Sequence, residues 1–339
     1  MSSNRKFKLF LLLLPFGLAI LSLLTGAGTL DFKELKLALL SPSKASDSVL
    51  FVVWDYRIPK LLTALLAGAG LALSGLLMQT LFRNPMAGPF VLGISSGASF
   101  GVSLVVLGAT VLPAFWGAFL QNEIGMSLAA LTGSFLVLGM IVWASAKIGG
   151  NFTILLLGLI VGQILSALQG ALSFLANPEA VKQFMLWGLG SFEQTGYTGI
   201  VGMAFVVLLV LFVSYTLAPK LNAFLLGDLY VQALGVDLFR FRKSIVFLAG
   251  LSAGVITAFC GPIAFLGMAV PHLVRHAFKT YDHSLLLPFV AIVGASMAVV
   301  CDMIAIAFHL PVNVVSAIIG GPVVIWVVIK QRTKVYASV

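Results

Sequence analysis

Few residues in this chain could carry chemistry, and most are lone polar groups in apolar surroundings. Asp302 is the only acidic residue within a long apolar run. A carboxylate in hydrocarbon is costly, and it could hold a proton or a cation as in an ion-driven carrier. It stands alone, whereas ion relays chain such groups, so a hydrogen bond to a neighbouring helix is the preferred reading. His272 and His276 are four apart, a metal-ligand spacing on a helix, but a zinc site needs more than two ligands. Cys260 and Cys301 are the only cysteines. They form no CxxC, and no disulfide follows from them. The chain has no HExxH, GxSxG or Ser–His–Asp arrangement, so no catalytic residue and no metal is assigned. It also lacks GxxxxGK[ST], the phosphate loop of many ATPases. Nucleotide energy, if used, must come from a partner.

Two polar segments offer surfaces. Asp55, Arg57 and Lys60 flank Pro59, as an interfacial anchor or as a docking site for an acidic partner. The segment 219–243, PKLNAFLLGDLYVQALGVDLFRFRK, places a two-turn helix between Asp228, a candidate N-cap, and Gly235, a candidate end. Leu229, Tyr230, Val231 and Leu234 make that helix apolar. It wants either a partner surface or the chain's own helix ends.

The elements that position these residues follow from composition. Hydrophobic residues are 60% of the chain and charged residues 9%. Apolar runs cover 9–30, 61–82, 90–112, 126–146, 154–176, 197–218, 244–260, 261–274, 284–308 and 312–329. About twenty helical residues cross the roughly 30 Å hydrocarbon core of a bilayer. The runs do not alternate, so about ten transmembrane helices are expected, in one all-α domain over 1–339. The first run has the basic start of a secretory signal but exceeds its usual length, and reads as a retained span. With the amino terminus inside, fourteen of twenty Lys and Arg residues lie on the cytoplasmic side. The other six are Lys33, Lys36, Lys44, Arg57, Lys60 and Lys182. The positive-inside rule supports that orientation, with both termini cytoplasmic. The net charge of +9 then needs no nucleic acid. Gly261-Pro262 breaks the stretch 244–274, which is too long for one span and too short for two, into a short broken crossing. Four spans follow from 61 and four from 244, a layout that permits an inverted repeat. Glycines four apart (Gly93, Gly97, Gly101; Gly158, Gly162; Gly250, Gly254) predict close helix packing.

Several stretches resemble one family. These are RIPKLLTALLAGAGLALSGLLMQTLFRNPMAGPFVLGISSGASFG (57–101), LGDLYVQALGV (226–236), GPIAFLGMAVPHLVRH (261–276), DHSLLLP (282–288) and LPVNVVSAIIGGPVVIWVV (310–328). They are similar to the FecCD-type permeases, membrane subunits of bacterial ABC importers for iron–siderophores, haem and cobalamin. The resemblance implies a type II ABC importer permease fold of ten helices in the cytoplasmic (inner) membrane. It implies a second permease subunit, as a homodimer or close heterodimer, two ATP-binding subunits and an extracytoplasmic binding protein. It implies no cofactor on this chain, with ATP and Mg on the ATPase. Residues 226–236 then correspond to the coupling helix, carried by Gly227, Asp228, Leu229, Tyr230, Val231, Gln232, Ala233, Leu234 and Gly235. Arg57 and Lys60 fall on two basic positions that dock the binding protein. Asn84 and Met86 fall on one part of a cytoplasmic gate, and Asn151 and Phe152 near the other. Gln163, Ser166 and Gln169, spaced at three, lie on the helix resembling the pathway lining.

Overall fold

The computed structural model describes residues 2–26, 30–108, 123–147 and 151–336, and most of them are helical. We number the helices α1 (Ser2–Thr25), α2 (Phe32–Leu40), α3 (Asp47–Leu81), α4 (Ile94–Val106), α5 (Glu123–Lys147), α6 (Asn151–Leu175) and α7 (Pro178–Gly188). Then come α8 (Tyr197–Thr216), α9 (Ala218–Leu225), α10 (Asp228–Ala233), α11 (Leu238–Cys260), α12 (Leu266–Phe278), α13 (His283–Phe308) and α14 (Val312–Tyr336). Seven helices among the described residues are long and apolar enough to cross a membrane. The runs 90–112, 261–274 and 312–329 correspond to the shorter apolar parts of α4, α12 and α14.

α3 is the axis of the bundle. Its most apolar window is 83% buried inside the protein, against 6% for α1 and 11% for α6. α3 contacts α11, α12 and α13 along its length. These crossings are close because glycines remove side chains where backbones meet. A Cβ on Gly68 would lie 2.2 Å from the Gly294 carbonyl oxygen, and one on Gly75 would lie 1.6 Å from that of Gly267. The Gly97 and Gly101 stripe serves α4 against α5 in the same way, as its spacing predicts.

α3 does not begin as an ordinary helix. Phe51–Arg57 is π-helical, and Ile58 N–H reaches back to the Val53 carbonyl. Pro59, which has no N–H to give, follows just where the regular bonding is already interrupted. The turn aims Arg57 and Lys60 into the protein.

The stretch 244–274 is a broken pair, as expected, but α11 starts six residues early. Asp237 caps it, accepting from the N–H groups of Phe239 and Arg240 at 3.0 and 3.1 Å. The break runs from Gly261 (φ +70°) to Phe265 (φ +67°). Its backbone is not left bare. Asn313 Oδ1 accepts from Ala264 N–H at 2.9 Å, and Ser191 N–H donates to the Cys260 carbonyl at 2.9 Å. Irregular backbone at membrane depth requires such partners.

A sequence signal for the repeat becomes legible here. Gly88-Pro89 precedes α4, and Gly261-Pro262 precedes α12. Both helices have 13 residues, and each is second in its half. The first break meets the start of α12, since a Cβ on Gly267 would lie 3.0 Å from Pro89. Short, Gly/Pro-interrupted segments at matching positions are the mark of repeat-built transporters.

Candidate functional site

Polar side chains gather at the two ends of α3, around Lys60 and around Arg83. They stand 23 positions apart along a helix that runs to Leu81, about 30 Å or more at 1.5 Å per residue. That places one cluster near each face of a bilayer.

At the first end, Lys60 is buried between two carboxylates. Its Nζ donates to Glu193 Oε1 at 2.6 Å and lies 3.3 Å from Asp302 Oδ1. Asp302 is therefore not alone: its helix, α13, is tied to α3 by charge. This agrees with the structural reading of Asp302. The Asp302 side chain is 3% exposed and that of Glu193 is 45% exposed. Burial pushes the Glu193 carboxyl up, but the hydrogen bonds and charge from Lys60 and Tyr56 outweigh it and hold it below the ordinary range. A cavity of about 510 Å³ opens here, lined by Lys60, Glu193, Asp302 and His309 among others.

Arg57 turns inward as well. Nη1 donates to the Leu23 carbonyl at 2.5 Å, and Nη2 donates to that of Gly26 at 3.3 Å. The guanidinium thus satisfies carbonyls at the end of α1 and complements its dipole. The sequence offers Arg57 and Lys60 as an interfacial anchor or a docking pair. The structure buries both, because the π-turn rotates them toward α1 and α13. Removing Lys60 strands Asp302. We expect Lys60→Met to cost about 3–5 kcal/mol, since it leaves a buried charge without its partner. The check is thermal unfolding in detergent. Adding Asp302→Asn restores part of the loss.

At the second end, Arg83 leaves α3 with φ +46°. Its Nη2 donates to Asp228 Oδ1 at 2.5 Å and to the Phe224 carbonyl at 2.8 Å, and its Nε donates to that carbonyl at 3.1 Å. Arg242 Nη2 takes the other Asp228 oxygen at 2.5 Å. Asp228 is thus an ion-pair hub in the first turn of α10, and the expected N-cap hydrogen bond is not formed. Gly227 stands at the cap position, and Gly235 follows the helix with φ +74°. Val231 points inward and is fully buried, so it anchors the helix and is not part of its outer face. Leu226, Leu229, Tyr230 and Leu234 are exposed, Leu229 by 83%. Gln232, Ala233 and Gly235 are also exposed. A groove of about 760 Å³ runs beside them to Tyr281 and Asp282.

Asn84 and Met86 follow Arg83 in a tight turn. Met86 N–H donates to Asn84 Oδ1 at 2.9 Å, and Ala87 N–H donates to the Asn84 carbonyl at 3.0 Å. Asn151 begins α6, but its side chain and that of Phe152 lie outside the described residues. On α6, Gln163 and Ser166 are exposed, and Gln169 Nε2 donates to the Ser96 carbonyl at 3.1 Å. His272 and His276 both meet the Trp326 ring edge-on. No group of three or more potential metal ligands occurs among the described residues.

One cluster escaped the sequence reading. His283 is fully buried, with Nδ1 2.7 Å from Asn222 Oδ1 and Nε2 2.8 Å from Thr80 Oγ1. Asn222 Nδ2 donates to Asp282 Oδ1 at 2.8 Å. Hydrogen bonds from Ser284 and Asn222 hold the Asp282 carboxyl below its usual range. The network seats α9, and with it α10, on α3 and α13. The only sequence hint was the capping pattern of Asp282-His283-Ser284.

The whole chain can be compared with known proteins. The model of the FecCD transport family matches residues 11–330. The hemin transport system permease protein HmuU of Yersinia pestis is 30% identical over 330 residues, 96% of each chain. The vitamin B12 import system permease protein BtuC of Klebsiella pneumoniae is 34% identical over 287 residues, 83% of each. A solved inward-facing conformation of a putative metal-chelate type ABC transporter superposes with a TM-score of 0.81 at 28% identity. It covers 96% of this chain and 99% of its own. PsaBC from Streptococcus pneumoniae shares the fold, with a TM-score of 0.51 at 14% identity and 80% of this chain covered. The match runs nearly end to end and carries the α4 and α12 breaks and the α10 segment with it: this chain belongs to the FecCD transport family, and its fold is that of an ABC importer permease.

Proposed function

We propose that this chain is the permease subunit of an ABC importer that moves a metal chelate, an iron–siderophore or haem, across the bacterial cytoplasmic membrane. The observation that carries the reading is α10. It is a short helix anchored by Val231 and Asp228 that presents Leu229, Tyr230 and Leu234 to solvent. Such a face fits a separate ATPase, the power source that a chain without a phosphate loop requires. The Arg83 end then faces the cytoplasm, with both termini, and the Lys60 end faces outward. A binding protein docks over the Lys60 end, at the positions of Arg57 and Lys60.

α6 supports a second permease subunit. Little of it is buried within one chain, yet it exposes Gln163 and Ser166. Polar side chains facing lipid are unfavourable, so this face lines a pathway between two copies, and alternating access opens it to each side in turn. The Asn84–Met86 turn and the start of α6 form its inner gate. The cargo class rests on the relatives. The hemin permease aligns over more of this chain and the vitamin B12 permease is more identical to it, so cobalamin stands as the alternative cargo.

The rival is an ion-driven carrier using Asp302, and the pairing of Asp302 with Lys60 argues for a structural clamp instead. Vesicles holding the permease, ATPase and binding protein separate the two. Expected uptake of chelate requires ATP, and Asp302→Asn retains most of it. Uptake driven by an ion gradient without the ATPase, and abolished by Asp302→Asn, overturns the proposal.

A further inference from the structure

α10 and the Asn84–Ala87 turn are separated by some 140 residues of chain, yet one carboxylate joins them. We infer that Asp228, gripped by Arg83, is the mechanical link through which movement of α10 reaches the gate turn, with Arg242 as its tether to α11. This rests on the coupling role proposed for α10 and the gate role proposed for the Asn84–Met86 turn.

Three observations support the link. First, Arg83 is held by three groups. It meets Asp228, binds the Phe224 carbonyl through two nitrogens, and lies 4.6 Å over the Phe224 ring. Phe224 is fully buried at the end of α9, so Arg83 follows the α9–α10 unit as a body. A lone exposed ion pair contributes little, but a networked, forked arginine is the exception. Second, hydrogen bonds run without a gap from Arg83 into the gate turn. Arg83 N–H donates to the Thr80 carbonyl at 3.2 Å and Asn84 N–H to that of Gln79 at 3.2 Å. The Asn84 side chain and carbonyl then fix Met86 and Ala87. The left-handed backbone at Arg83, uncommon for a residue with a Cβ, redirects the chain at this point. Third, the end of α3 that carries this turn is tied to α12 of the other half. Gln79 Nε2 donates to the Met268 carbonyl at 3.0 Å, and Arg275 Nη1 donates to Gln79 Oε1 at 2.6 Å. A shift at Arg83 therefore reaches α12 as well as its own turn.

Arg83 is thus a positioning residue that acts on the gate through the turn it begins. The test uses the full complex of permease, ATPase and binding protein in vesicles, with chelate uptake counted per ATP hydrolysed. Arg83→Gln and Asp228→Asn each lower uptake per ATP at least tenfold while the ATPase stays in the complex. The double variant is no worse than either single, because both cut one link. Arg83→Lys recovers part of the loss, keeping the charge but not the fork. Unchanged uptake per ATP in Arg83→Gln overturns the inference. So does loss of the ATPase from that variant, which would make Arg83 a docking residue. Leu229→Asp/Leu234→Asp, read in parallel, tests the coupling role separately: an ATPase that stays bound to it sinks that role, whatever the Arg83 variants do.

Discussion

Changing Leu229 and Leu234 together to aspartate releases the ATPase from the detergent-purified complex, while the permease still inserts and runs as a monodisperse species. Both leucines are exposed in the isolated chain, by 83% and 57%, so the fold does not depend on them. Covering each at an interface contributes about 1.5–3 kcal/mol. The substitution removes both contributions and adds two carboxylates that resist desolvation. A loss of at least about 3 kcal/mol weakens binding more than about 100-fold. The measurement is co-purification of the ATPase on a tagged permease. Val231→Asp gives the contrast: it places a charge at a fully buried position and unseats α10 itself. Unchanged co-purification of the double leucine variant would remove α10 from the coupling role.

The second large effect concerns packing. Gly75→Val places a side chain where the α12 backbone already is. Its Cβ would lie 1.6 Å from the Gly267 oxygen, 2.4 Å from the carbonyl carbon and 2.7 Å from Cα. No rotamer relieves a clash with backbone, so α3 and α12 must separate. That separation also breaks the Gln79–Met268 and Gln79–Arg275 hydrogen bonds one turn further on. We expect a loss of about 3 kcal/mol or more and little monodisperse protein. Gly170→Ala on α6 is the matched control, since a Cβ there meets nothing within 4 Å. Fluorescence size-exclusion chromatography after heating compares the two. Equal melting of the variants would show that the α3–α12 contact is looser than the structure indicates.

These variants lie on opposite sides of a division between local and long-range information. Hydropathy is local, and ten apolar runs were enough to predict an all-helical membrane protein. The run 244–274 declared its own break, because Gly261-Pro262 cannot continue a helix. The small helix of 226–236 was legible too, between its flanking glycines. Its inner and outer faces were not, and Val231 was grouped with leucines that point the other way. A helix shorter than two turns has too little periodicity to assign a face.

Charge partners were the least legible. Arg57 and Lys60 were read as surface groups because basic residues beside a span end normally reach toward water. Their actual partners lie 31 to 242 residues away, at Gly26, Glu193 and Asp302. Asp302 looked solitary for the same reason. Hydrophobic runs state which segments are apolar helices, since each run satisfies its own backbone within itself. Which side chains then meet depends on how those cylinders rotate and cross. That is settled by glycine contacts such as Gly68–Gly294 and Gly75–Gly267, and by a π-turn that swings the start of α3. Composition thus determined the class, and only the packed bundle decided which apolar runs become full-length helices, which charges are buried, which are paired, and which face is left for a partner.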